Sequence, residues 1–231
     1  MEHQQENMRT ECLQWGTLRY VLRYPADYRA GERRPVLFFL HGAGTRGNEI
    51  EKLLNNPFFR LTAQHAEHPF VTVAPLCDCG TWFDCFETLK AFADAVAAAP
   101  YADSDRIYLV GTSMGGYGAW QLAMSMPERF AALVPICGGG MYWDAGRLVG
   151  LPIWAFHGED DTTVFSEESR KMVEAVNRRG GNARLTLYPN TRHDAWTPTL
   201  TSPAVFEWLL SHRRGEMRTA ADEYTDAKTF G

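Results

Sequence analysis

Short runs of apolar residues alternate along this chain with longer segments of mixed apolar and polar character. The short runs are rich in Val, Ile, Leu and Phe and occupy residues 36–40, 70–74, 107–110, 133–136, 153–156 and 184–188. Runs of this length and composition are typical of strands that are buried on both faces. Two earlier segments, around residues 13–15 and 18–24, alternate more loosely and predict an antiparallel hairpin at the edge of a sheet.

Between these runs, apolar residues recur at three- and four-residue steps, which is the spacing of an amphipathic helix. The helical segments run from Phe86 to Val96, from Tyr117 to Met126 before Pro127, from a Ser166 N-cap through Val176 to Gly180, and from Pro203 to Leu210. Strands that alternate with helices are joined by right-handed crossovers, which make a mostly parallel sheet. The sequence therefore predicts an α/β fold with a mostly parallel central sheet and helices on both faces.

The length of the chain, 231 residues, suits one α/β domain with a sizeable core. No internal repeat and no linker divides it, so we expect a single domain over residues 1–231 with its core at about residues 13–212. Residues 213–231 are polar and hold few large apolar side chains. We expect this tail to fray or to pack on a neighbouring surface.

The composition and charge exclude several classes of partner. Hydrophobic residues make up 45% of the chain, and the formal net charge is -5, whereas a protein that binds nucleic acid electrostatically carries a basic excess. No stretch of about 18 apolar residues could span a membrane, and the polar residues 1–11 lack the pattern of a secretory signal. We expect a cytoplasmic protein without nucleic-acid or membrane partners, for which a homo-oligomer remains open.

Five cysteines are present, and three of them, Cys77, Cys79 and Cys85, lie close together in the sequence. An odd number of cysteines without a secretory signal favours free thiols over a disulfide framework. The C-x-C spacing is a weak zinc signal, since zinc sites pair C-x-x-C units or add nearby histidines. The sequence therefore predicts free thiols and no metal site, and it does not give the cluster a role.

A possible nucleophile directly follows the run at 107–110, where residues 111–115 read Gly-Thr-Ser-Met-Gly. This G-x-S-x-G motif between a strand and a helix is the context of a nucleophile elbow. The flanking glycines remove the Cβ atoms that would collide in so sharp a turn, and the helix N-terminus favours negative charge. A Gly/Ser-rich turn without catalytic function is the alternative, but the flanking strand and helix favour Ser113 as a nucleophile.

A second glycine-rich turn, His-Gly-Ala-Gly at residues 41–44, follows the run at 36–40. An H-G-x-G turn at this place supplies an oxyanion donor in hydrolases with a nucleophile elbow. We therefore predict an oxyanion hole made by the backbone amides of Ala43 and Met114, the latter being the residue after the nucleophile. The side chain of His41 is predicted to be a structural hydrogen-bonding group.

A serine nucleophile needs a base within hydrogen-bonding reach. The order serine, acid, histidine along the chain leaves His157, His193 and His212 as candidates. His157 precedes an acidic loop that it is expected to brace, and His212 lies past the last predicted helix. His193 follows the run at 184–188 in a loop at the expected active edge of the sheet, so we predict it to be the base.

The acid lies in the loop after the run at 153–156, which reads Gly-Glu-Asp-Asp at residues 158–161. Asp160 and Asp161 both qualify from the sequence, with Glu159 as a weaker candidate. The role of the acid is to fix the tautomer of the histidine and to stabilise its imidazolium form.

These motifs together resemble the α/β-hydrolase superfamily, and within it the compact bacterial carboxylesterases similar to feruloyl esterases, polyhydroxybutyrate depolymerases and prolyl-oligopeptidase-like enzymes. The resemblance spans about residues 13–212. The residues that carry it are LHGAG at 40–44, RG at 46–47, DRIYLVGTSMGGYG at 105–118, PICGGG at 135–140, FHGEDD at 156–161 and HDAW at 193–196.

The resemblance implies the α/β-hydrolase fold and the hydrolysis of carboxylic esters through an acyl-enzyme. In this family the acid stands four residues after the histidine of the F-H-G turn, which selects Asp161 to complete a triad with Ser113 and His193. The resemblance also implies that no metal and no organic cofactor is needed.

Aromatic residues in the loops near the active edge indicate the substrate. Trp82, Trp143 and Trp196 are predicted to bind an apolar or aromatic acyl group, while the alternative is that they only cover the core. We therefore expect a small-molecule ester with a short-chain or aromatic acyl group.

Three competing interpretations share this scaffold. A peptidase or acyltransferase would use the same triad, but peptidase relatives carry a gating domain and an acidic pair for the substrate amine, neither of which is evident. A non-catalytic binding protein would lack a member of the triad. Dienelactone hydrolysis uses a cysteine nucleophile, whereas the nucleophile position here is Ser113.

Overall fold

A computed structural model describes residues 8–65 and 69–216, and an eight-stranded sheet runs through its centre. In chain order the strands are β1 (Thr10–Trp15), β2 (Leu18–Arg23), β3 (Arg34–Leu40), β4 (Val71–Pro75), β5 (Ala102–Thr112), β6 (Ala132–Ile136), β7 (Ile153–Gly158) and β8 (Ala183–Tyr188). Their spatial order is β1-β2-β4-β3-β5-β6-β7-β8. All pairs from β4 to β8 in that order are parallel, whereas β2 is antiparallel to both β1 and β4. The predicted mostly parallel sheet and the hairpin at its edge are confirmed.

The described part of the chain has seven α-helices, of which five lie between strands and two follow β8. They are α1 (Ile50–Leu54), α2 (Pro57–Thr62), α3 (Phe86–Ala97), α4 (Met114–Ser125), α5 (Glu167–Arg178), α6 (Trp196–Leu200) and α7 (Pro203–Leu210). The four helices expected from the sequence are α3, α4, α5 and α7, so the predicted α/β class is confirmed. Ser166 precedes α5 as expected, but its side chain makes no capping hydrogen bond.

The short helices α1, α2 and α6, which have five or six residues each, are not predicted by the sequence pattern. Helices this short do not display a repeated apolar face. For α2 a local signal was nevertheless present, because Asn56 accepts a hydrogen bond from the Phe58 amide at 2.9 Å and Pro57 occupies the first turn. Asparagine at the N-cap followed by proline is a helix start.

Both faces of the sheet are covered, which explains why the strands read as nearly continuous apolar runs. On one face the apolar side chains of α3, α4 and α5 share a core with alternate residues of β3 and β5, and on the other face those of α2 and α7 share a second core with the intervening residues. Neighbouring residues of β3 therefore enter different cores: Phe38 lies in the first core, and Leu37 and Phe39 lie in the second.

The end of the described chain is tied to β5. The hydroxyl of Tyr108 donates to the carbonyl of His212 at 2.9 Å, and the amide of Arg214 donates to the carbonyl of Asp105 at 2.8 Å. Residues 217–231 of the predicted tail, and residues 1–7 of the segment in which a signal was sought, lie outside the described residues. Among the described residues, none of the helices has both the length and the apolar character needed to cross a membrane.

The parallel strands direct several loops to the same edge of the sheet. The carboxyl ends of β3, β5, β7 and β8 are followed by loops beginning at residues 41, 113, 159 and 189. These loops contain the motifs singled out in the sequence. In open α/β sheets this edge is where ligands bind.

The junction of β3 with α4 is so tight that it requires glycine. A Cβ atom on Gly115 would lie 1.9 Å from the carbonyl oxygen of Leu40, whereas a Cβ atom on Gly150 would meet nothing within 4 Å. We expect Gly115→Ala to lower the free energy of unfolding by about 3 kcal/mol or more, because backbone rather than a flexible side chain must move. Gly150→Ala is the matched control and should change it by less than about 0.5 kcal/mol. Urea denaturation measures both, and equal stabilities of the two variants would contradict this packing.

Candidate active site

Ser113 lies in the turn between β5 and α4, at the first point where the chain leaves the sheet. Its backbone has φ 55° and ψ -117°, a left-handed conformation that is strained for a residue other than glycine. The flanking glycines permit the turn, because a Cβ atom on Gly111 would lie 2.0 Å from the carbonyl oxygen of Gly115. This is the steric arrangement that the G-x-S-x-G motif predicts.

The loop after β8 brings His193 to this serine. Nε2 of His193 lies 2.8 Å from Oγ of Ser113, although the two residues are 80 positions apart in the chain. Nδ1 of the same ring lies 2.7 Å from Oδ2 of Asp161, which belongs to the loop after β7. The structure thus brings together the three side chains that the sequence analysis selected. Because the carboxylate accepts a hydrogen bond from Nδ1–H, the Nε2 lone pair faces the serine hydroxyl.

The surroundings of Asp161 favour its ionised form. Its side chain is buried, and Oδ1 accepts hydrogen bonds from the amides of Thr163 at 2.8 Å and Val164 at 3.0 Å. Burial by itself raises the pKa of the Asp161 carboxyl, but the hydrogen bonds from His193, Val164 and Thr163 outweigh it and lower the pKa overall. Asp160, the alternative acid, is exposed.

The two predicted oxyanion donors flank Ser113. A Cβ atom on Gly42 would lie 3.4 Å from Cβ of Ser113, so the turn after β3 packs directly on the nucleophile. Ala43 begins a 3-10 turn (Ala43–Thr45) and lines the same cavity as Ser113. Met114 is the first residue of α4, where a backbone amide has no acceptor within its own helix.

The side chain of His41 stabilises the turn that contains Gly42 and Ala43. Its side chain is fully buried, Nδ1 donates to the carbonyl of Gly42 at 2.8 Å, and Nε2 accepts from the amide of Cys77 at 3.0 Å. Burial lowers the pKa of His41 to about 4, so the ring is neutral near pH 7. These contacts give His41 a structural place under the turn that carries Ala43.

A cavity of about 370 Å³ opens beside Ser113 and His193. Its walls are mostly apolar and carry no Asp, Glu, Lys or Arg side chain. Phe58, Trp196 and Leu200 supply its larger apolar surfaces, and the Trp196 ring meets His193 edge to face with 5.3 Å between the ring centroids. The contribution of Phe58 was missed from the sequence, and the Asn56-Pro57 signal for α2 could have found it.

Two of the three tryptophans expected in the substrate site lie elsewhere. Trp82 is fully buried: its indole N–H donates to the carbonyl of His41 at 3.0 Å, and its ring packs against Gly118. Trp143 is 64% exposed, packs edge to face on Tyr142 and does not line the cavity. Of the three, only Trp196 belongs to the cavity wall, so the expectation for Trp82 and Trp143 is corrected.

All five cysteines are free thiols, and Cys77 and Cys137 are buried. Cys137, His157 and Asp161 form a group that could in principle bind a metal ion, because one potential ligand atom of each lies within 4.8 Å of the others. Each of them is already engaged: Cys137 Sγ lies 3.3 Å from the carbonyl of His193, His157 Nε2 lies 2.8 Å from the carbonyl of Val164, and Asp161 binds His193. The three side chains therefore pack together next to His193.

A sequence profile described as "Dienelactone hydrolase family" matches residues 83–202, more than half of the chain. The crystal structure of a thermostable esterase is similar with a TM-score of 0.77 and 30% identity, covering 90% of this chain and 64% of that one. Est1E from Butyrivibrio proteoclasticus has a TM-score of 0.68, and the match covers 87% of this chain and 98% of Est1E. At 15% identity this similarity shows the fold alone. Dipeptidyl-peptidase 5 of Porphyromonas gingivalis is 26% identical, covering 50% of this chain. The chain spans less than two thirds of the esterase and 23% of the peptidase.

The buried neutral ring of His41 makes stability depend on pH. The pKa of about 4 in the folded protein lies below the value of about 6.5 for an unfolded chain, so the unfolded state binds more protons between these limits. The free energy of unfolding should therefore fall as pH drops from about 6.5 towards 4, by roughly 3 kcal/mol from this residue. Urea denaturation at about pH 7 and about pH 5 tests this. In His41→Gln the decline should be shallower, and an unchanged decline would contradict the assignment.

Proposed function

Because the chain belongs to the dienelactone hydrolase family, we propose that it is a serine hydrolase that cleaves carboxylic esters. The observation that carries the proposal is the 2.8 Å contact between Ser113 Oγ and His193 Nε2, backed by the 2.7 Å contact of His193 with Asp161. In this arrangement a serine hydroxyl is hydrogen-bonded to an imidazole, and a carboxylate orients the imidazole. This is the arrangement of a nucleophile and its general base.

The reaction proceeds in two steps. Ser113 Oγ attacks the ester carbonyl while His193 Nε2 takes its proton, and the ionised Asp161 stabilises the imidazolium that forms. The tetrahedral oxyanion is held by the amides of Ala43 and Met114, each worth about 3 kcal/mol of transition-state stabilisation. The alcohol leaves with the proton from His193, and the Ser113 acyl ester remains. A water molecule activated by His193 then releases the acid and restores the serine.

The cavity supports a neutral, apolar acyl group as the substrate. Its walls have no charged side chain other than a protonated His193, so an anionic acyl group would lose its hydration without gaining a partner. The apolar surfaces of Phe58, Trp196 and Leu200 suit a short-chain or aromatic acyl group. The family name does not extend to the substrate, since dienelactone hydrolysis uses a cysteine nucleophile and this position is Ser113. A small-molecule ester as partner and a cytoplasmic location remain part of the proposal.

A peptidase is the second candidate, and it rests on the similarity to the Porphyromonas gingivalis peptidase. That similarity covers 23% of the peptidase, so it reaches the hydrolase core and not the rest of that protein. The same triad serves both reactions, because each passes through a tetrahedral oxyanion and an acyl-enzyme. Matched p-nitrophenyl esters and p-nitroanilides of the same acyl group separate the two candidates.

Replacement of the nucleophile is the first test. We expect Ser113→Ala to lose turnover of p-nitrophenyl and hydroxycinnamoyl esters by about 1000-fold or more, because the attacking oxygen is gone. Ser125→Ala, at the opposite end of α4, is the matched control and should keep turnover within about two-fold. Circular dichroism checks that both variants are folded. Undiminished turnover in folded Ser113→Ala would refute the assignment.

The adjacent aspartates provide a second test. Asp161→Asn keeps the size of the side chain but loses the charge that orients His193, so kcat should fall by roughly 100- to 10,000-fold. Asp160→Asn changes an exposed neighbour in the same way and should lower kcat by less than about three-fold. The reverse order would make Asp160 the acid.

A further inference from the structure

A second imidazole, that of His157, lies against the carboxylate of Asp161. His157 is at the end of β7, four residues before Asp161, and its side chain is fully buried. Its Nε2 is 3.3 Å from Oδ2 of Asp161, the same oxygen that lies 2.7 Å from Nδ1 of His193. One carboxylate oxygen therefore faces two histidines.

The neighbours of His157 determine where its proton lies. Nε2 faces two acceptors, the carbonyl of Val164 at 2.8 Å and the Asp161 carboxylate at 3.3 Å, so this nitrogen carries a hydrogen shared between them. Burial lowers the pKa of His157, which favours a neutral ring with a lone pair on Nδ1. Oγ of Ser169 lies 2.8 Å from Nδ1 and can donate its proton there.

Ser169 belongs to α5, and its side chain is fully buried. Its Oγ is also 2.9 Å from the carbonyl of Gly138, which competes for the same hydroxyl proton. When Ser169 donates to His157 Nδ1, the proton of the neutral ring must sit on Nε2, facing Asp161. The contact thus couples a helix outside the triad to the orientation of the triad's acid.

The titratable groups around His157 come from three loops. Asp161 is in its own loop, His193 approaches from the loop after β8, and Cys137 follows β6. Among them only Asp161 carries a charge when His193 is neutral, because burial raises the pKa of the Cys137 thiol to about 12. The partial positive charge of the His157 N–H therefore faces a single anion.

We propose that His157 is a positioning residue for the triad: its Nε2–H fixes Oδ2 of Asp161 for His193, and Ser169 holds the ring from its Nδ1 side. The proposal rests on the proposed function, because it assigns roles within that triad. The amides of Thr163 and Val164 hold only Oδ1, so the carboxylate could still tilt about that oxygen. The contact of His157 Nε2–H with Oδ2, at 3.3 Å, opposes this tilt.

The N–H of His157 beside Oδ2 also has an electrostatic consequence. A donor on Oδ2 draws electron density from the carboxylate, which then stabilises the imidazolium form of His193 less strongly. Loss of the donor should let His193 keep its proton to higher pH. A free base is needed for the attack of Ser113, so the acid limb of the activity profile should move to higher pH. A residue that only filled space would not have this effect.

Substitutions at His157 test the proposal. His157→Leu removes the donor at similar volume, and we expect kcat to fall by about ten-fold or more, KM to change by less than about three-fold, and the midpoint of the acid limb of kcat/KM to rise by about half a pH unit. His157→Gln can place an amide N–H near the position of Nε2 and should restore kcat to within about three-fold and the midpoint to that of the wild type. A folded His157→Leu with wild-type kcat and midpoint would overturn the proposal, as would a folded His157→Gln as impaired as His157→Leu.

Ser169 offers a second, milder variant in case His157→Leu does not fold. Ser169→Ala should move the acid limb in the same direction by a smaller amount, because the ring loses its contact at Nδ1 while Val164 and Asp161 still face Nε2. Ser166→Ala is the matched control. Ser166 immediately precedes α5 and is buried like Ser169, but its side chain makes no capping hydrogen bond. Equal profiles for the two alanine variants would overturn the role of Ser169.

A measurement without substrate separates this proposal from the proposed function. Titration of the His193 ring protons by NMR in wild type, His157→Leu and His157→Gln detects the coupling whether or not esters are turned over. We expect the His193 midpoint to rise in His157→Leu and to return in His157→Gln. A wild type that cleaves no ester would refute the function alone, whereas an unmoved His193 midpoint would refute the positioning role.

Discussion

The hydrogen bond between Ser113 and His193 depends on one steric constraint, the tight crossing of β3, β5 and α4. The carbonyl of Leu40 occupies the space that a side chain at residue 115 would need, and residues 111 and 115 are in mutual contact. Only glycines permit this approach, and the strain it imposes appears in the positive φ of Ser113. The turn presents the hydroxyl at the carboxyl edge of the sheet and puts the next amide at the start of a helix. The position of the nucleophile is therefore set by backbone packing.

Burial and hydrogen bonding together determine the charge of the polar groups around this hydroxyl. Asp161 is removed from water but accepts hydrogen bonds on both oxygens, which keeps its negative charge favourable where an unpaired carboxylate would be neutral. His41 and His157 are buried as neutral rings that support, respectively, the turn with Ala43 and the carboxylate of Asp161. His193 alone of these three rings reaches the cavity. Three histidines with the same chemistry thus take different places because their surroundings differ.

The sequence predicts the parts of this fold whose signal is local and repeated. The strands buried on both faces stand out as apolar runs, and α3, α4, α5 and α7 show apolar residues at helical steps. The elbow, the H-G-x-G turn and the chain order of acid and histidine point to residues that the structure brings within hydrogen-bonding distance. The choice of Asp161 over Asp160 came from family resemblance, since two adjacent aspartates cannot be told apart by pattern.

The walls of the cavity were harder to predict, because they depend on where side chains point in three dimensions. Trp82 and Trp196 both lie in segments at the active edge, but Trp82 turns inward to bind the carbonyl of His41. Phe58 lines the cavity because α2, a helix of six residues, lies over that edge. A segment of six residues is too short for an apolar periodicity that would predict this helix. Local sequence motifs thus predict the catalytic residues, whereas the residues that line the cavity are determined by tertiary packing.

Reaction with a fluorophosphonate, followed by mass spectrometry of the digested protein, tests the central claim most directly. This reagent forms a covalent bond with a serine oxygen that a neighbouring base activates, and it requires no knowledge of the natural substrate. Our account predicts one adduct, on Ser113, which forms far more slowly in His193→Ala. A folded protein that forms no adduct, or forms it on another residue, would contradict the account.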